Sequence, residues 1–162
     1  MTRLRINGRQ YTIRVYTVGQ CFGTSASVRV GRAQFHSRVC PYGFTQAAID
    51  SVVAAVKERY PDAEEIAEMT VLAAREIARF GIEPKAALLS HSNFGSRDSD
   101  SALKMRKATA ILHRIAPDLC VDGEMHADSA LDARLRDRVY PDSVLNGEAN
   151  LLVFPNLDSA NI

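Results

Sequence analysis

Residues 85–108 read KAALLSHSNFGSRDSDSALKMRKA, and this stretch decides the fold class. It starts with an apolar run typical of a buried strand, continues through a polar loop that contains glycine, and ends in a run with helical spacing. A strand joined to a helix by a short loop is the repeating unit of α/β proteins. The stretch therefore predicts such a unit, and it raises the question whether its loop only connects two elements or also holds a ligand.

The same unit repeats on both sides of this stretch. Asp62 can cap a helix that ends near Gly81, and Pro117 and Pro141 each stop a later helical run. The predicted helices cover residues 62–81, 100–116 and 127–140, and the predicted strands cover residues 85–92, 118–125 and 150–155. Strands that alternate with helices indicate a parallel sheet with helices packed on its faces.

Residues 1–60 show a different pattern. Polar and apolar residues alternate on both sides of Asn7 and Gly8, a pair that favours a tight hairpin turn, and a helical run begins near Thr45. We therefore predict a basic β-hairpin-rich segment with one helix over residues 1–60, followed by an α/β unit over residues 61–162.

Charge divides the chain at the same place. Residues 1–60 carry nine Lys and Arg against two Asp and Glu, a net charge of +7, whereas residues 61–162 carry eleven against seventeen, a net charge of −6. Seven arginines precede residue 44, and the first acidic residue is Asp50. This pattern is compatible with a nucleic-acid surface, but no RNA- or DNA-binding signature accompanies it, so nucleic acid ranks last among the partners considered.

Cysteine use and hydropathy indicate the compartment. Cys21, Cys40 and Cys120 are widely spaced and form no metal-binding pattern, and the sequence contains neither a secretion signal nor an apolar run long enough to span a membrane. We expect a cytoplasmic protein without a membrane partner, a metal or a cofactor.

Three polar loops should meet at one edge of the sheet, because ligands of open parallel sheets collect beyond the carboxyl ends of the strands. These loops cover residues 90–96, 122–126 and 155–161. The first is rich in small residues that would let backbone amides approach a phosphate, namely Ser90, Ser92, Asn93, Gly95 and Ser96. The alternative is a plain connection, with Ser99 or Asp100 capping the next helix.

Charged residues near these loops allow two interpretations each. Asp122 and Glu124 could form an acid/base pair or bind a metal, or they could cap a helix or pair with an arginine. His91 and His126 could give a pH-sensitive contact, or they could be ordinary polar surface. The cations near the first loop could pair with ligand phosphates or form a solvated helix face; they are Arg97, Lys104, Arg106 and Lys107.

Several stretches beyond residue 62 resemble one known family. AEEIAEMTVLAAREIARFGIEPKAALLSHSNFGS (63–96), SALKMRKA (101–108), DGEMHADSAL (122–131) and PDSVLNGEANLLVFPNLDSANI (141–162) are similar to the phosphate acetyl/butyryl transferase family. They are most similar to the branch fused to bacterial NADP-dependent malic enzymes. The resemblance covers residues 62–162.

The resemblance implies a three-layer α/β fold with a mainly parallel sheet, akin to isocitrate and isopropylmalate dehydrogenases. It also implies a cleft for acetyl-CoA or acetyl phosphate, with the loop at residues 90–96 carrying the anion and with Asp122 and Glu124 shaping the cleft. The family's residues for acetyl transfer follow the segment matched here, so no residue of this sequence inherits those catalytic roles.

We therefore expect a non-catalytic, regulatory acetyl-CoA or phosphate-binding module of malic-enzyme type that forms a homo-oligomer, namely a dimer. One alternative is an active phosphate acetyltransferase that converts acetyl-CoA and phosphate to acetyl phosphate and CoA. Another is a chimeric or engineered chain without native activity, because residues 1–60 match no part of the family.

Overall fold

The computed structural model describes residues 1–6, 9–18, 23–30, 33–37, 39–41, 43 and 45–161. The chain divides into two compact units, Met1–Pro61 and Asp62–Ile162, and each unit is described by itself.

The first unit is an antiparallel sheet with one helix. Its elements are β1 (Thr2–Ile6), β2 (Arg9–Val18), β3 (Gly23–Val30), β4 (Ala33–His36) and α1 (Thr45–Arg59). The strands lie in the order β1-β2-β3-β4, and each neighbouring pair is antiparallel. The predicted hairpin is confirmed at its strands, where Ile6 pairs with Arg9, whereas Asn7 and Gly8 lie outside the described residues.

Alternation along these strands gives the sheet one apolar face, because successive side chains point to opposite faces. Ile13 and Val28 are buried on that face and belong to the same apolar cluster as Val52 and Val56 of α1. Val52 and Val56 are four residues apart, which places them on one side of α1. The opposite sheet face is polar and mostly exposed, although Ser25 and Ser27 on it are buried.

The second unit alternates helices and strands as the sequence predicts. Its elements are α2 (Ala63–Arg79), β5 (Lys85–Leu89), α3 (Asp100–Ile115), β6 (Cys120–Met125), α4 (Ala127–Leu131), α5 (Ala133–Val139), β7 (Leu151–Val153) and α6 (Leu157–Ala160). Asp62 caps α2, accepting from the Glu65 amide at 2.9 Å while Glu65 accepts from the Asp62 amide. The predicted cap Ser99 accepts from the Ala102 amide at the start of α3.

The strands of this unit form a parallel three-stranded sheet. Its order is β6-β5-β7, with β5 paired in parallel to both neighbours. Leu88 and residues of α2 and α3 form one apolar cluster, and Ala87 and Leu89 form another with Ala130 and Leu145. Because adjacent residues of β5 belong to different clusters, apolar layers cover both faces of the sheet.

One predicted helix is wrong in its extent. The sequence predicts a single helix over residues 127–140, but two short helices meet at Asp132. The Asp132 backbone is extended, and its carboxylate accepts a 3.0 Å hydrogen bond from the Leu135 amide. An aspartate in this position satisfies a free amide at the start of a helix, so it begins a new helix instead of continuing the old one.

The predicted α/β class is confirmed. The second unit holds the predicted parallel sheet, and the predicted β-hairpin-rich first segment forms a separate antiparallel sheet of four strands. Within the described residues, every helix is too short or too polar to cross a membrane.

Candidate ligand-binding site

The loop after β5 meets the end of β6 at the carboxyl edge of the parallel sheet. The Ser90 amide donates to the Met125 carbonyl at 2.9 Å, and the Phe94 amide donates to the Glu124 carbonyl at 2.7 Å. Asn93 Oδ1 accepts from the His126 amide at 2.7 Å. Two of the three predicted loops therefore lie together, as parallel strands with adjacent carboxyl ends require.

Glu124 is the buried centre of this loop cluster. Its side chain is only 1% exposed. Oε1 accepts from the Ser92 hydroxyl at 2.8 Å, from the Gly95 amide at 2.9 Å and from Arg106 Nη2 at 3.1 Å, while Oε2 accepts from Arg106 Nε at 3.1 Å. Both carboxylate oxygens are thus bonded, and a buried charge of this kind is tolerated only with such partners.

A bulge in β6 orients the Glu124 side chain toward this loop. Leu88 pairs with Gly123, but the next residue of β5, Leu89, pairs with Met125, so Glu124 is the extra residue of a bulge. A bulge redirects the side chain at the point where it interrupts the strand pairing. Gly123 lies against β5 so closely that an added Cβ would stand 2.6 Å from the Leu88 carbonyl oxygen, which requires glycine there.

The pair formed by Arg106 and Glu124 sets the protonation state of the site. Burial by itself raises the pKa of the Glu124 carboxyl, but the hydrogen bonds from Arg106, the Gly95 amide and Ser92 outweigh burial and hold the pKa below its ordinary value of 4.5. Glu124 in turn raises the pKa of the Arg106 guanidinium. Glu124 is therefore ionised at neutral pH and fully engaged, so it is poorly suited to accept a proton.

The loop amides are already used inside the loop. The amides of Ser92, Asn93 and Ser96 donate to Ser90 Oγ, Ser96 Oγ and the Asn93 carbonyl, respectively. The Arg97 amide donates to Ser92 Oγ at 3.0 Å. The predicted cradle of free amides for an anion is thus occupied by the chain's own acceptors in this structure. The side chain of Asn93 keeps a donor: among the described residues, no hydrogen bond uses its Nδ2 atom.

Asp122 lies apart from this cluster. Its Oδ2 accepts from the Ser143 hydroxyl at 2.7 Å and from the Val144 amide at 2.9 Å. It pairs with Ala87, which belongs to the apolar cluster on the sheet face opposite that of Leu88. The structure brings six of the seven predicted residues together, namely Ser90, Ser92, Asn93, Gly95, Ser96 and Glu124. Ligand binding by any of the seven stays a prediction.

The remaining predicted cations and histidines separate into different roles. Lys107 pairs with Glu64 on α2 at 2.6 Å, and Lys104 donates to the Pro155 carbonyl, which joins α3 to the third loop. Arg97 and His91 are exposed, whereas His126 is half-buried at the start of α4. Within the part of the chain that the structure describes, His, Cys, Asp and Glu form no group suited to hold a metal ion.

Sequence reasoning missed two features of the second unit, one of which contacts the loop. Phe94, in the left-handed region at φ +43°, packs against Tyr140 with ring centroids 4.3 Å apart and ring planes tilted by 41°. Arg136 is fully buried and donates to the carbonyls of Ser129, Leu145 and Gly147. No local signal separates Arg136 from its exposed neighbours Arg134 and Arg138, because all three occur in the same polar helix.

These features define an α/β protein whose candidate site is a strand–loop–helix unit at the carboxyl edge of a parallel sheet. Residues 50–162 match the family described as Phosphate acetyl/butaryl transferase, and the chain belongs to this family. The match begins twelve residues before the expected start of the resemblance, within α1.

The relatives include both malic enzymes and acyltransferases. A NAD-dependent malic enzyme of Rhizobium meliloti (strain 1021) is 72% identical over 102 residues, which make up 63% of this chain and 13% of that protein. A phosphate acetyltransferase of Corynebacterium glutamicum is 38% identical over 102 residues, 63% of this chain and 31% of that protein. The chain thus spans only a small part of the curated relatives that it matches.

A solved structure supports the same relationship. A phosphotransacetylase from Streptococcus pyogenes aligns with a TM-score of 0.61 and 40% identity, covering 64% of this chain and 32% of that chain. The predicted resemblance to phosphotransacetylases and to malic-enzyme segments is therefore confirmed.

Proposed function

We propose that the second unit is a non-catalytic module that binds acetyl-CoA or acetyl phosphate and regulates an attached enzyme of malic-enzyme type. The identity of 72% to a malic enzyme, against 38% to a phosphate acetyltransferase, favours this branch. We assign the three-layer arrangement to the isocitrate and isopropylmalate dehydrogenase type as part of the same proposal.

The engagement of Glu124 carries the non-catalytic assignment. Acid/base catalysis needs a group that can change its protonation near the working pH. Arg106 contacts both Glu124 oxygens, and Ser92 and Gly95 also contact Oε1, so Glu124 holds the loop in place. We infer a structural role for Glu124 and a binding role for the side chains around it.

Asn93 is the residue that best separates ligand binding from loop structure. Its Oδ1 accepts from the His126 amide and so positions the loop, while its side-chain Nδ2 keeps a donor for an anion. In the variant Asn93→Asp the acceptor stays and the donor becomes a negative charge, so an anionic ligand is repelled. Asn146→Asp, at an exposed position, adds the same charge elsewhere and serves as the matched control.

Isothermal titration calorimetry with acetyl-CoA and with acetyl phosphate tests the proposal. We expect saturable binding of at least one ligand, weakened about tenfold or more, equivalent to about 1.4 kcal/mol, by N93D but not by N146D. Equal binding by the two variants, or no heat from either ligand at millimolar concentration, would contradict the assigned site.

An active phosphate acetyltransferase is the second candidate, favoured by the similarity to enzymes of that name. A coupled assay with acetyl phosphate and CoA distinguishes the two. Turnover above background, rising more steeply than protein concentration, would replace the regulatory proposal with a catalytic site completed by a second copy. Binding without turnover supports the regulatory module.

A further inference from the structure

The exposed face of the antiparallel sheet in the first unit is strongly basic. We call it the basic sheet face and define it by six exposed side chains: Arg3, Arg5, Arg14, Tyr16, Arg29 and His36. All six lie on the face opposite the buried residues Ile13 and Val28, because side chains alternate along each strand.

The strand register gathers three of these arginines across three neighbouring strands. Arg3 of β1 pairs with Thr12, so Arg14 stands diagonally across from it on β2. Arg14 pairs with Ser27, so Arg29 stands diagonally across from it on β3. Such diagonal neighbours lie about 7–8 Å apart. Arg14 and Arg29 also line one groove, together with Thr12 and Ser27.

Nothing in the first 49 residues neutralises this face, because the first acidic residue of the sequence is Asp50. Arg29 donates to the neutral Gln34 at 3.4 Å, and Arg3 and Arg14 form no ion pair with any residue that the structure describes. Clustered like charges oppose sheet stability, so packing gives no reason for them. The cluster is complementary to a chain of negative charges.

An exposed aromatic ring beside the arginines narrows the class of partner. Tyr16 is 41% exposed, and its hydroxyl lies 3.1 Å from His36 Nδ1, a hydrogen bond that fixes the ring on the sheet. Single-stranded nucleic acid combines regularly spaced phosphates with flat bases that stack on aromatic rings. An acidic peptide supplies the charges but not the bases.

We propose that the basic sheet face binds single-stranded nucleic acid, with Arg3, Arg14 and Arg29 contacting phosphates and Tyr16 stacking on a base. From the sequence alone, nucleic acid ranks last among the partners because the chain contains no recognised binding signature. The strand register gives additional support, because it places arginines that are distant in the chain on one surface. This proposal is independent of the function proposed for the second unit.

Fluorescence anisotropy of the full chain with a labelled oligouridylate and a labelled oligothymidylate, from about 50 to 300 mM NaCl, tests the proposal. Binding should weaken with salt by a logarithmic slope of about −0.7 for each phosphate neutralised. R14Q combined with R29Q should reduce that slope by about 1.4 and weaken binding. R75Q combined with R114Q removes the same charge from exposed helix positions of the other unit and should leave binding unchanged.

The stacking of a base on Tyr16 is tested separately, by the affinity of Tyr16 variants for the oligonucleotides. Tyr16→Leu should weaken binding about fivefold or more, while Tyr16→Phe, which keeps the ring, should not. Circular dichroism melting checks that each variant is folded, and the salt slope of the unmodified chain stands even if a variant fails to fold.

Several outcomes would overturn the proposal. They are no binding to either oligonucleotide at low salt, equal effects of the two double-arginine variants, and equal binding by Tyr16→Leu and the unmodified chain. Binding to polyglutamate or to phosphatidylserine vesicles that is tighter than binding to the oligonucleotides would assign the face to an acidic protein or to a lipid surface instead.

Discussion

Arg106 contacts the buried Glu124 carboxylate through two hydrogen bonds, from Nε to Oε2 and from Nη2 to Oε1, both of 3.1 Å. This bidentate contact joins helix α3 to the bulge of β6. Glu124 also accepts hydrogen bonds from Ser92 and Gly95, which connects the pair to the loop. The ion pair is therefore one of the contacts that hold the loop against β6 and α3.

Removing the Glu124 charge should destabilise the second unit. Glu124→Gln keeps the size of the side chain and one acceptor oxygen, but it removes the charge and replaces the other oxygen with an NH2 group that would face an Arg106 donor. We expect a loss of about 2 kcal/mol in the free energy of unfolding, measured by urea titration followed by circular dichroism. Glu68→Gln, at an exposed position on α2, should change the free energy little. Equal stability of the two variants would show that the pair contributes nothing.

The same pair predicts how stability depends on pH. The folded pKa of Glu124 lies below its ordinary value of 4.5, so its contribution is fully present above that pH and is lost as the pH falls through the folded value. The difference in unfolding free energy between the unmodified chain and Glu124→Gln should therefore be constant from pH 7 to 5 and shrink at lower pH. A difference that grows on acidification would contradict the assignment.

Gly123 should not tolerate a side chain. In Gly123→Ala the added Cβ would meet the Leu88 carbonyl oxygen at 2.6 Å, and the φ of +148° is unfavourable for any other residue. We expect a loss of about 3 kcal/mol or more, or failure to fold, measured by thermal melting. Gly81→Ala has a positive φ but open space around its Cβ, and should cost only about 1 kcal/mol. Similar melting of the two variants would argue against the close approach of the strands.

Asp122 should act on a different segment from Glu124. In Asp122→Asn, the acceptor shared by Ser143 and the Val144 amide is weakened, so hydrogen exchange at Val144 should accelerate about tenfold. Exchange at Gly95 should not change, because no hydrogen bond connects its loop to Asp122 among the described residues. Asp118→Asn is the exposed control. Faster exchange at Gly95 would mean that the contacts of Asp122 and Glu124 are coupled.

Much of the fold could be predicted from local pattern. The alternation of helices and strands beyond residue 62, the caps Asp62 and Ser99, and the β-rich first segment all follow from periodicity and from residues that satisfy free amides. The break at Asp132 could not be predicted in this way, because aspartate is also compatible with a helix interior. The structure shows that its carboxylate instead caps α5 through the Leu135 amide.

The sequence by itself determined the family, the parallel pairing of the strands in the second unit and the position of the loop at residues 90–96. These features depend on short-range pattern and on residues that match the family. Only the tertiary structure decided that Glu124 joins this loop while Asp122, two residues earlier, contacts Ser143 and Val144. Regular strand alternation would put both carboxylates on one face. A single extra residue in β6 reverses that expectation, and strand pairing between distant segments is what creates the bulge.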